Sequence, residues 1–275
     1  MHPYDNQIFF IVTKHGKEVA FNSSLPFQNS KILNFHSNTD LYGTFSPEKP
    51  RHLTLKETLK AKANLLPAGK GRLAITSEGT FGPHPDFPFF NVDHEILLFQ
   101  DRELNIELYI EEISPETNLG EKVLTPQENP DIFLNSVRFP THGVIVFNRS
   151  LNILKKGINN YSSLKKAIEQ CWQTGEDAII QTDMRAHVNP TRMKIIEKAA
   201  RKLFSRLASV CPSCKTPGFG PVDYILGAEC EICGNETKLV KEIIFGCLKC
   251  DHQELRSRED KMKFASPEFC DYCNP

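Results

Sequence analysis

Short apolar runs alternate with amphipathic helical patterns over residues 1–208, and this alternation predicts an α/β unit. The apolar runs with the length and composition of β-strands are 8–12, 72–76, 95–99, 105–110, 143–147 and 178–182. Helical patterns cover about 54–66, 160–173 and 190–208, with a weaker one at 126–136. We also expect a short strand at 31–35 and a polar surface loop at 114–130. Strands that alternate with helices favour a layered domain with a mixed β-sheet.

The distribution of cysteine divides the chain into two parts. Eight of the nine cysteines lie after residue 210. We therefore expect an α/β domain at 1–208, with a catalytic or ligand-binding role, and a small cysteine-rich module at 209–275. Cys171, in a helical pattern, is interpreted as a small buried hydrophobic residue.

The C-terminal part contains four CxxC pairs, a spacing typical of zinc sites. They are Cys211/Cys214, Cys230/Cys233, Cys247/Cys250 and Cys270/Cys273. Two thiolates of one pair can bind a Zn²⁺ from a tight turn, and two pairs complete a tetrahedral Cys₄ site. The pattern predicts a double zinc ribbon with two structural Zn²⁺ sites. Sequential pairing, first with second and third with fourth, is the simplest arrangement, and interleaved pairing is an alternative.

Composition and charge narrow the classes of partner. Hydrophobic residues make up 40% of the chain and charged residues 24%, with a formal net charge of −1, as in ordinary globular proteins. No overall field attracts nucleic acid or a membrane. Residues 238–263 carry seven Lys/Arg and five Asp/Glu, so the module gives only weak support for nucleic-acid binding. The apolar run 8–12 is too short for a signal peptide or a membrane span, and we expect a cytoplasmic protein without a membrane partner.

Three polar segments follow predicted strands and supply the candidate site residues. "TKHGKE" brings Lys14, His15 and Lys17; "SEGTFGPHP" brings Glu78 and His84; "TDMRAHVNPTR" brings Asp183, Arg185, His187, Asn189 and Arg192. Two glycines and two prolines predict a specially shaped loop in the second segment. Ligands of open α/β sheets bind beyond the carboxyl ends of the strands. If these strands run parallel, the three segments share one edge and form one site.

The third segment is typical of a helix start that binds an anion. Asn189 is a favourable N-cap and Pro190 a favourable first helical residue. The amides at a helix N-terminus attract phosphate or carboxylate, and Arg185, His187 and Arg192 would surround that ligand. The alternatives are an ion pair of Arg185 with Asp183 and a solvated helix face for Arg192.

Carboxylates at strand ends predict a cation site of a different kind. Asp40, Glu78 and Asp183 offer hard oxygen ligands that suit Mg²⁺ or Mn²⁺. Asp93 and Glu95, at a strand start, are either further ligands or surface residues. His84 or His187 would transfer protons near neutral pH.

The motifs together resemble those of a bacterial family known only as a domain of unknown function. They are "TKHGKE", "TDLYGTF", "SEGTFGPHP", "TDMRAHVNPTRM", the four CxxC pairs and the final "CDYCNP", and they extend over nearly the whole chain. The resemblance implies common descent and carries no activity with it. One departure is "GTFSPEKPR" at 43–51, where the family pattern leads us to expect a glycine after the serine.

The N-terminal half has a looser similarity to inosine-triphosphate pyrophosphatases. The shared order is a strand, "TKHGKE", a helix with "KAKA" at 60–63, and a strand that ends in "SEG". The similarity implies that Lys14 or Lys17 contacts phosphate and that Glu78 serves Mg²⁺ or acts as a base. The asparagine-containing first loop and the paired aspartates of those enzymes are missing.

These observations lead to one hypothesis and two alternatives. We expect a metal-assisted enzyme that acts on a phosphorylated or otherwise anionic small molecule, with hydrolysis of a phosphate or pyrophosphate bond as the reaction. The first alternative is a non-enzymatic zinc-ribbon protein that binds nucleic acid or a protein partner, with the α/β domain as a ligand sensor. The second is a purely structural scaffold.

Overall fold

The computed structural model describes residues 1–43, 51–84, 86–126, 128–173, 175–258, 260 and 262–274. The chain divides into two compact units, Tyr4–Leu203 and Phe204–Pro275 with Met1–Pro3. Most of the segment that departs from the family motif, residues 44–50, lies outside the described residues.

The strands of the Tyr4–Leu203 unit form two sheets in its described part. In chain order they are β1 (Ile8–Thr13), β2 (Lys31–His36), β3 (Leu73–Pro83), β4 (Asn91–Asp101), β5 (Ile106–Ser114), β6 (Glu121–Leu124), β7 (Val144–Asn148), β8 (Ile153–Ile158) and β9 (Ala178–Thr182). The first sheet has the order β2-β1-β3-β4-β5, with β1 parallel to β2 and β3 and the later pairs antiparallel. The second sheet has the order β6-β9-β7-β8 and is antiparallel. The expected α/β fold with a mixed sheet is confirmed.

Apart from one short helix at 19–22 that was not predicted, the described helices lie within the predicted patterns. They are α1 (Val19–Asn22), α2 (Leu55–Ala63), α3 (Asp131–Ser136), α4 (Tyr161–Trp172) and α5 (Pro190–Ala208). Thr54 and Glu57 form a reciprocal capping box at the start of α2. Asn189 caps α5, since its Oδ1 accepts a hydrogen bond of 3.1 Å from the Arg192 amide. Within the described ranges, no helix combines the length and apolar character that a membrane span requires.

Each sheet buries apolar side chains against helices. Val12, Ala74 and Leu98 of the first sheet pack with Leu59 and Ala63 of α2. In the second sheet, a larger cluster joins strand residues to α3 and α4. This cluster includes Val144, Val146, Ile180, Leu134, Leu164, Ile168 and the fully buried Cys171. The interpretation of Cys171 as a core residue is confirmed.

Three local expectations were wrong. Residues 77–83 continue β3 instead of forming a loop, because eleven consecutive residues pair with β4. The region 114–130 includes β6, which pairs with β9 at the edge of the second sheet. β9 does not run beside β1 and β3, since its partners are β6 and β7.

The Phe204–Pro275 unit contains a three-stranded antiparallel meander. Its strands are β10 (Gly220–Leu226), β11 (Val240–Gly246) and β12 (Gln253–Ser257), in the order β10-β11-β12. One CxxC pair precedes β10, one lies between β10 and β11, one lies between β11 and β12, and the last follows β12. Because the strands alternate in direction, successive pairs are delivered to opposite ends of the sheet.

Candidate functional site

A pocket lies beyond the end of β1, where side chains attached to both sheets of the Tyr4–Leu203 unit meet. Seven candidate residues line it: His15, Lys17, Asp40, Glu78, Asp183, Arg185 and Arg192. The three polar segments therefore contribute to one pocket, although β1 and β3 belong to one sheet and β9 to the other. Convergence arises from the meeting of two sheets and not from one shared edge.

Asp40 organises two side chains at the outer part of this pocket. Its carboxylate accepts hydrogen bonds from Lys14 Nζ at 2.6 Å and from His15 Nε2 at 2.8 Å. Burial opposes ionisation of Asp40, but these two contacts outweigh it and lower the pKa. The His15 ring stacks on His187, with centroids 5.0 Å apart. Burial lowers the pKa of His15 to about 4 and also lowers that of His187, so both imidazoles are neutral at pH 7.

Glu78 is a buried carboxylate that is held in its charged form. It lies on β3 beyond the point where β1 ends, and it contacts Arg51 Nη2 at 2.5 Å and Lys62 Nζ. Burial raises the pKa of Glu78, but the nearby Lys62, Lys17 and Arg51 outweigh burial and lower the pKa to about 2. Glu78 therefore compensates cations and is a poor proton acceptor at neutral pH.

Lys17 is buried beside a hydroxyl group. Its Nζ lies 2.8 Å from Ser77 Oγ and 3.4 Å from the Ser77 carbonyl oxygen. Burial, assisted by the charge of Arg192, lowers the pKa of Lys17 to about 7. Within the described residues, no carboxylate comes within ion-pair distance of its ammonium group.

Asp183 and Arg185 form the ion pair that the sequence left as an alternative. Arg185 Nη2 lies 2.6 Å from Asp183 Oδ2, which also accepts the Gly157 amide at 2.9 Å. Burial opposes ionisation of Asp183, but Arg185 outweighs it and the pKa stays below its usual range. Pairing does not remove Arg185 from the pocket, because its side chain remains part of the lining.

Arg192 lies at the floor of the pocket and is not on a solvated helix face. It is 2% exposed and contacts Glu95 Oε1 at 2.5 Å and the Met184 carbonyl oxygen at 2.5 Å. Glu95 and Asp93 are buried as well, which excludes their interpretation as surface residues. Burial, together with the charge of Glu95, raises the pKa of Asp93 to about 8. The alternative of a solvated helix face for Arg192 is therefore wrong, because this position turns toward β4.

Two amides at the start of α5 are already bonded within the protein. The Thr191 amide donates to His142 Nε2 at 3.3 Å, and the Arg192 amide donates to Asn189 Oδ1. Asn189 is buried, and its Nδ2 donates to Asn118 Oδ1 at 2.9 Å. Side chains around the pocket are therefore better available to an anion than these amides.

His84 lies away from the pocket, in the turn between β3 and β4. Its Nδ1 accepts hydrogen bonds from the Asp86 and Phe87 amides, at 3.1 and 3.2 Å. Its ring contacts Phe87 and Phe90. These contacts give His84 a role in shaping the turn.

The described carboxylates do not fit a cation site shared by Asp40, Glu78 and Asp183. A metal site needs at least three His, Cys, Asp or Glu side chains whose ligand atoms lie close together. Among the described residues, only two groups of cysteines meet this condition within 4.8 Å. Each of the three carboxylates is instead bound by a Lys or Arg side chain. They therefore hold cationic side chains in position around the pocket.

Sequence reasoning missed several residues of the pocket. Lys62 lies in the "KAKA" segment of α2, Ser77 opens the "SEG" segment but was given no role, and Lys156 lies on β8. Arg51, which precedes α2, contacts the pocket residue Glu78. Lys62 carried one signal, because a lysine at a position that α2 turns toward the sheet interrupts an apolar face. Lys156 and Arg51 carried none, since their positions depend on contacts far away in the sequence.

The eight C-terminal cysteines form two groups with the geometry of a Cys₄ metal site. One group is Cys211, Cys214, Cys247 and Cys250, and the other is Cys230, Cys233, Cys270 and Cys273. In the first group, the Sγ–Sγ distance is 3.8 Å between Cys211 and Cys250 and 3.5 Å between Cys214 and Cys247. In the second group, it is 3.9 Å between Cys230 and Cys273 and 3.5 Å between Cys233 and Cys270. A tetrahedral Zn²⁺ with Zn–S of about 2.3 Å requires about 3.8 Å between sulfurs. Both groups therefore fit Zn²⁺.

The pairing of the CxxC motifs is interleaved, and the simpler sequential arrangement was wrong. The first pair joins the third, and the second joins the fourth. The antiparallel meander explains this, because one strand separates each pair from the next and carries it to the opposite end. Gly234, after Cys233, has a φ of 74°, a conformation that glycine adopts without strain.

The comparisons with known proteins identify the family and give no activity. A search among curated proteins found no significant match, and neither did a search among solved structures. Residues 66–275 match a family model described as "Domain of unknown function (DUF6671)". The match includes β3, β9, α5 and all eight paired cysteines, and it begins after Lys17, Asp40 and Lys62. Because it covers well over half of the sequence, the chain belongs to this family.

Proposed function

We propose that the Tyr4–Leu203 unit is an enzyme that acts on a phosphorylated or otherwise anionic small molecule, with hydrolysis of a phosphate or pyrophosphate bond as the reaction. The observation that carries this proposal is the charge of the pocket. Among the described residues that line it, five are Lys or Arg and three are Asp or Glu. Glu95, behind the lining, compensates Arg192, but Glu78 alone faces both Arg51 and Lys62, so positive charge remains that an anionic ligand would compensate.

The cationic side chains have distinct parts in this proposal. Arg185 is the principal anion ligand, because Asp183 fixes its guanidinium while a quarter of its side chain remains accessible. Lys14 and Lys62 add positive charge at two sides, each fixed by its own carboxylate. A planar guanidinium suits bidentate binding of phosphate oxygens. The neutral His15–His187 stack can accept a proton near the outer part of the pocket.

The proposal for the C-terminal unit is that each Cys₄ group holds a structural Zn²⁺. A closed set of four thiolates stabilises a fold and leaves no ligand position for substrate. Nucleic-acid recognition by this unit has less support, because several of its basic side chains are paired with carboxylates. These pairs are Arg256–Glu254, Arg258–Asp260, Lys241–Glu229 and Lys238–Asp271.

A phosphate-release screen tests the proposed reaction. Full-length protein is incubated with nucleotides and sugar phosphates, each with EDTA, Mg²⁺ or Mn²⁺. The informative variant is Asp183→Asn/Arg185→Met, which removes both charges of the pair and leaves no buried carboxylate uncompensated. The matched control is Lys165→Met, at an exposed position on α4.

We expect release from at least one phosphorylated substrate, a loss of about tenfold or more in the double variant, and wild-type rates in the control. Release that is equal in the double variant and the wild type would contradict the role of this pocket. The EDTA arm decides whether turnover requires a divalent cation that substrate itself brings to the site.

A further inference from the structure

The closest contact between a pocket hydroxyl and an amine joins Ser77 and Lys17. Lys17 lies just before α1, and Ser77 lies on β3, two residues beyond the last residue that pairs with β1. The Nζ–Oγ distance is 2.8 Å, both side chains line the pocket, and both are buried. An amine at this distance is within reach of the hydroxyl proton.

Two nearby hydroxyls, one of Thr13 in the pocket and one of Thr76 beside it in sequence, have different partners. Thr13 Oγ1 accepts the His15 amide at 3.1 Å. The hydroxyl of Thr76, next to Ser77, points to the other side of β3 and donates to the Leu59 carbonyl oxygen at 3.1 Å. Ser77 is therefore distinguished by the chemistry of its neighbour.

When the pocket holds no ligand, the surroundings of Lys17 favour the neutral form of its amine. Nζ is buried, and its bonds go to the two oxygen atoms of Ser77. The titratable groups that face it are Arg192, Glu95, Asp93, Lys62, Glu78 and His15, of which Asp93 is mostly protonated at pH 7 because of its raised pKa. Burial outweighs the carboxylates, and a pKa of about 7 leaves a large neutral fraction at physiological pH.

We propose that Ser77 is the nucleophile of this enzyme, that Lys17 is the base that activates it, and that catalysis passes through a phosphoseryl intermediate. The inference rests on the proposed function and goes further, because it names the reacting atoms and a covalent mechanism. Its substrate class is the phosphate monoester or anhydride.

The two steps balance without an additional reactant. In the first, Lys17 Nζ takes the hydroxyl proton as Ser77 Oγ forms a bond to phosphorus. The bond from phosphorus to the leaving oxygen breaks with its electron pair, and the Lys17 ammonium returns the proton to that oxygen. In the second, Lys17 takes a proton from water as the water oxygen bonds to phosphorus. The bond from phosphorus to Oγ then breaks, and Ser77 recovers its proton.

The buried cations around the pair suit this chemistry. Lys62 and Arg192 both line the pocket, and both influence Lys17 electrostatically. Fixed positive groups stabilise the charge of a phosphoryl group during transfer, because they need no reorganisation as the reaction proceeds. Arg192 is held by Glu95 and Lys62 by Glu78, so both are positioned in advance.

The experiment traps the intermediate. Full-length protein is mixed with acetyl phosphate, pyrophosphate or p-nitrophenyl phosphate, quenched in acid during the first turnover, and analysed by intact mass and peptide mapping. We expect one phosphoryl group on Ser77 in the wild type and none in Ser77→Ala. Ser23→Ala, at an exposed position, is expected to be labelled as the wild type is.

Lys17→Met tests the base separately. The wild-type rate of phosphorylation should rise with pH around 7, where Lys17 loses its proton. Lys17→Met should react about a hundredfold more slowly and lose that pH dependence. A purely structural contact between Lys17 and Ser77 would leave the pH profile unchanged.

The outcomes separate this inference from the proposed function. If Ser77→Ala cleaves a donor as fast as the wild type, the mechanism with Ser77 and Lys17 is overturned and the proposed function stands. A phosphoryl group found on another residue would have the same meaning. If the wild type neither binds nor cleaves the three donors, both fail. If Ser77→Ala still binds pyrophosphate, its pocket is folded, and its loss of labelling then supports Ser77 as the nucleophile.

Discussion

The guanidinium of Arg192 lies 2.5 Å from the carboxylate of Glu95, and both side chains are almost completely buried. This ion pair joins the first turn of α5 to the middle of β4 and fixes Arg192 in the lining of the pocket. Glu95 Oε2 and the neighbouring Asp93 Oδ1 have no hydrogen-bond partner among the described residues. The site therefore depends on charges whose removal one at a time is costly.

Arg192→Met should reduce the free energy of unfolding by about 3–5 kcal/mol, because it leaves Glu95 as an uncompensated buried charge. Glu95→Gln/Arg192→Met should recover part of that loss. Urea denaturation of both variants measures the difference. Arg201→Met, at an exposed position on the same helix, is the control. Equal stability of the single and double variants would show that the pair is not coupled.

Gly79→Ala should disturb the same pair by steric conflict. A Cβ at this position would lie 2.4 Å from Glu95 Oε1 and 2.8 Å from Arg192 Nη2. We expect a loss of about 1–3 kcal/mol in unfolding free energy, the usual cost of overpacking. At Gly69 a Cβ would meet nothing within 4 Å, so Gly69→Ala is the control for the loss of glycine itself. Equal effects of the two substitutions would count against the close approach.

The interleaved pairing predicts which cysteine substitutions remove the same zinc ion. Cys214→Ser/Cys247→Ser affects one group and should leave one tightly held Zn²⁺ per chain, whereas Cys214→Ser/Cys233→Ser affects both groups. Metal analysis after treatment with a strong chelator measures the zinc content. Sequential pairing would reverse the two results. Wild-type protein without zinc would contradict the metal assignment altogether.

Local patterns were sufficient for much of the fold. The capping pair Asn189–Pro190 and the apolar stripe behind it predict α5 to within a residue, because capping and amphipathicity act over a few positions. The spacing of the CxxC pairs likewise predicts the metal groups. Both signals are encoded in residues that are adjacent or nearly adjacent in sequence.

Long-range contacts account for what the sequence did not predict. β9 has the apolar pattern of a buried strand in either sheet, and only its pairing with β6 and β7 decides the sheet. Pairing with β4 carries β3 past its glycines and proline, which suggest a turn when read alone. The same extension of β3 explains why the contact between Ser77 and Lys17 was not predicted, because Ser77 lies beyond the last residue of β3 that pairs with β1.

Asp93 should give stability a distinctive dependence on pH. In the unfolded chain this carboxyl ionises near pH 4, about its ordinary value, whereas in the folded protein its pKa is about 8. The folded state therefore binds more protons between these values. The contribution of Asp93 to stability is fully present below the lower pKa and is lost as the pH rises through the higher one.

Asp93→Asn should flatten that dependence. Unfolding free energies of the wild type and the variant, measured by urea denaturation across this pH range, should diverge as the pH rises, in favour of the variant. Asp86→Asn, at an exposed position in the turn between β3 and β4, is the control. A constant difference between Asp93→Asn and the wild type would show that Asp93 titrates normally.

The central claim is that the pocket beyond β1 takes an anion through Arg185 and its neighbours. Isothermal titration of pyrophosphate into full-length protein tests it most directly, with Asp183→Asn/Arg185→Met and Lys165→Met titrated alongside. We predict saturable binding of one pyrophosphate per chain, about tenfold or more weaker in the double variant and unchanged in Lys165→Met. Absence of binding to the wild type, or equal affinity in the double variant, would contradict the account.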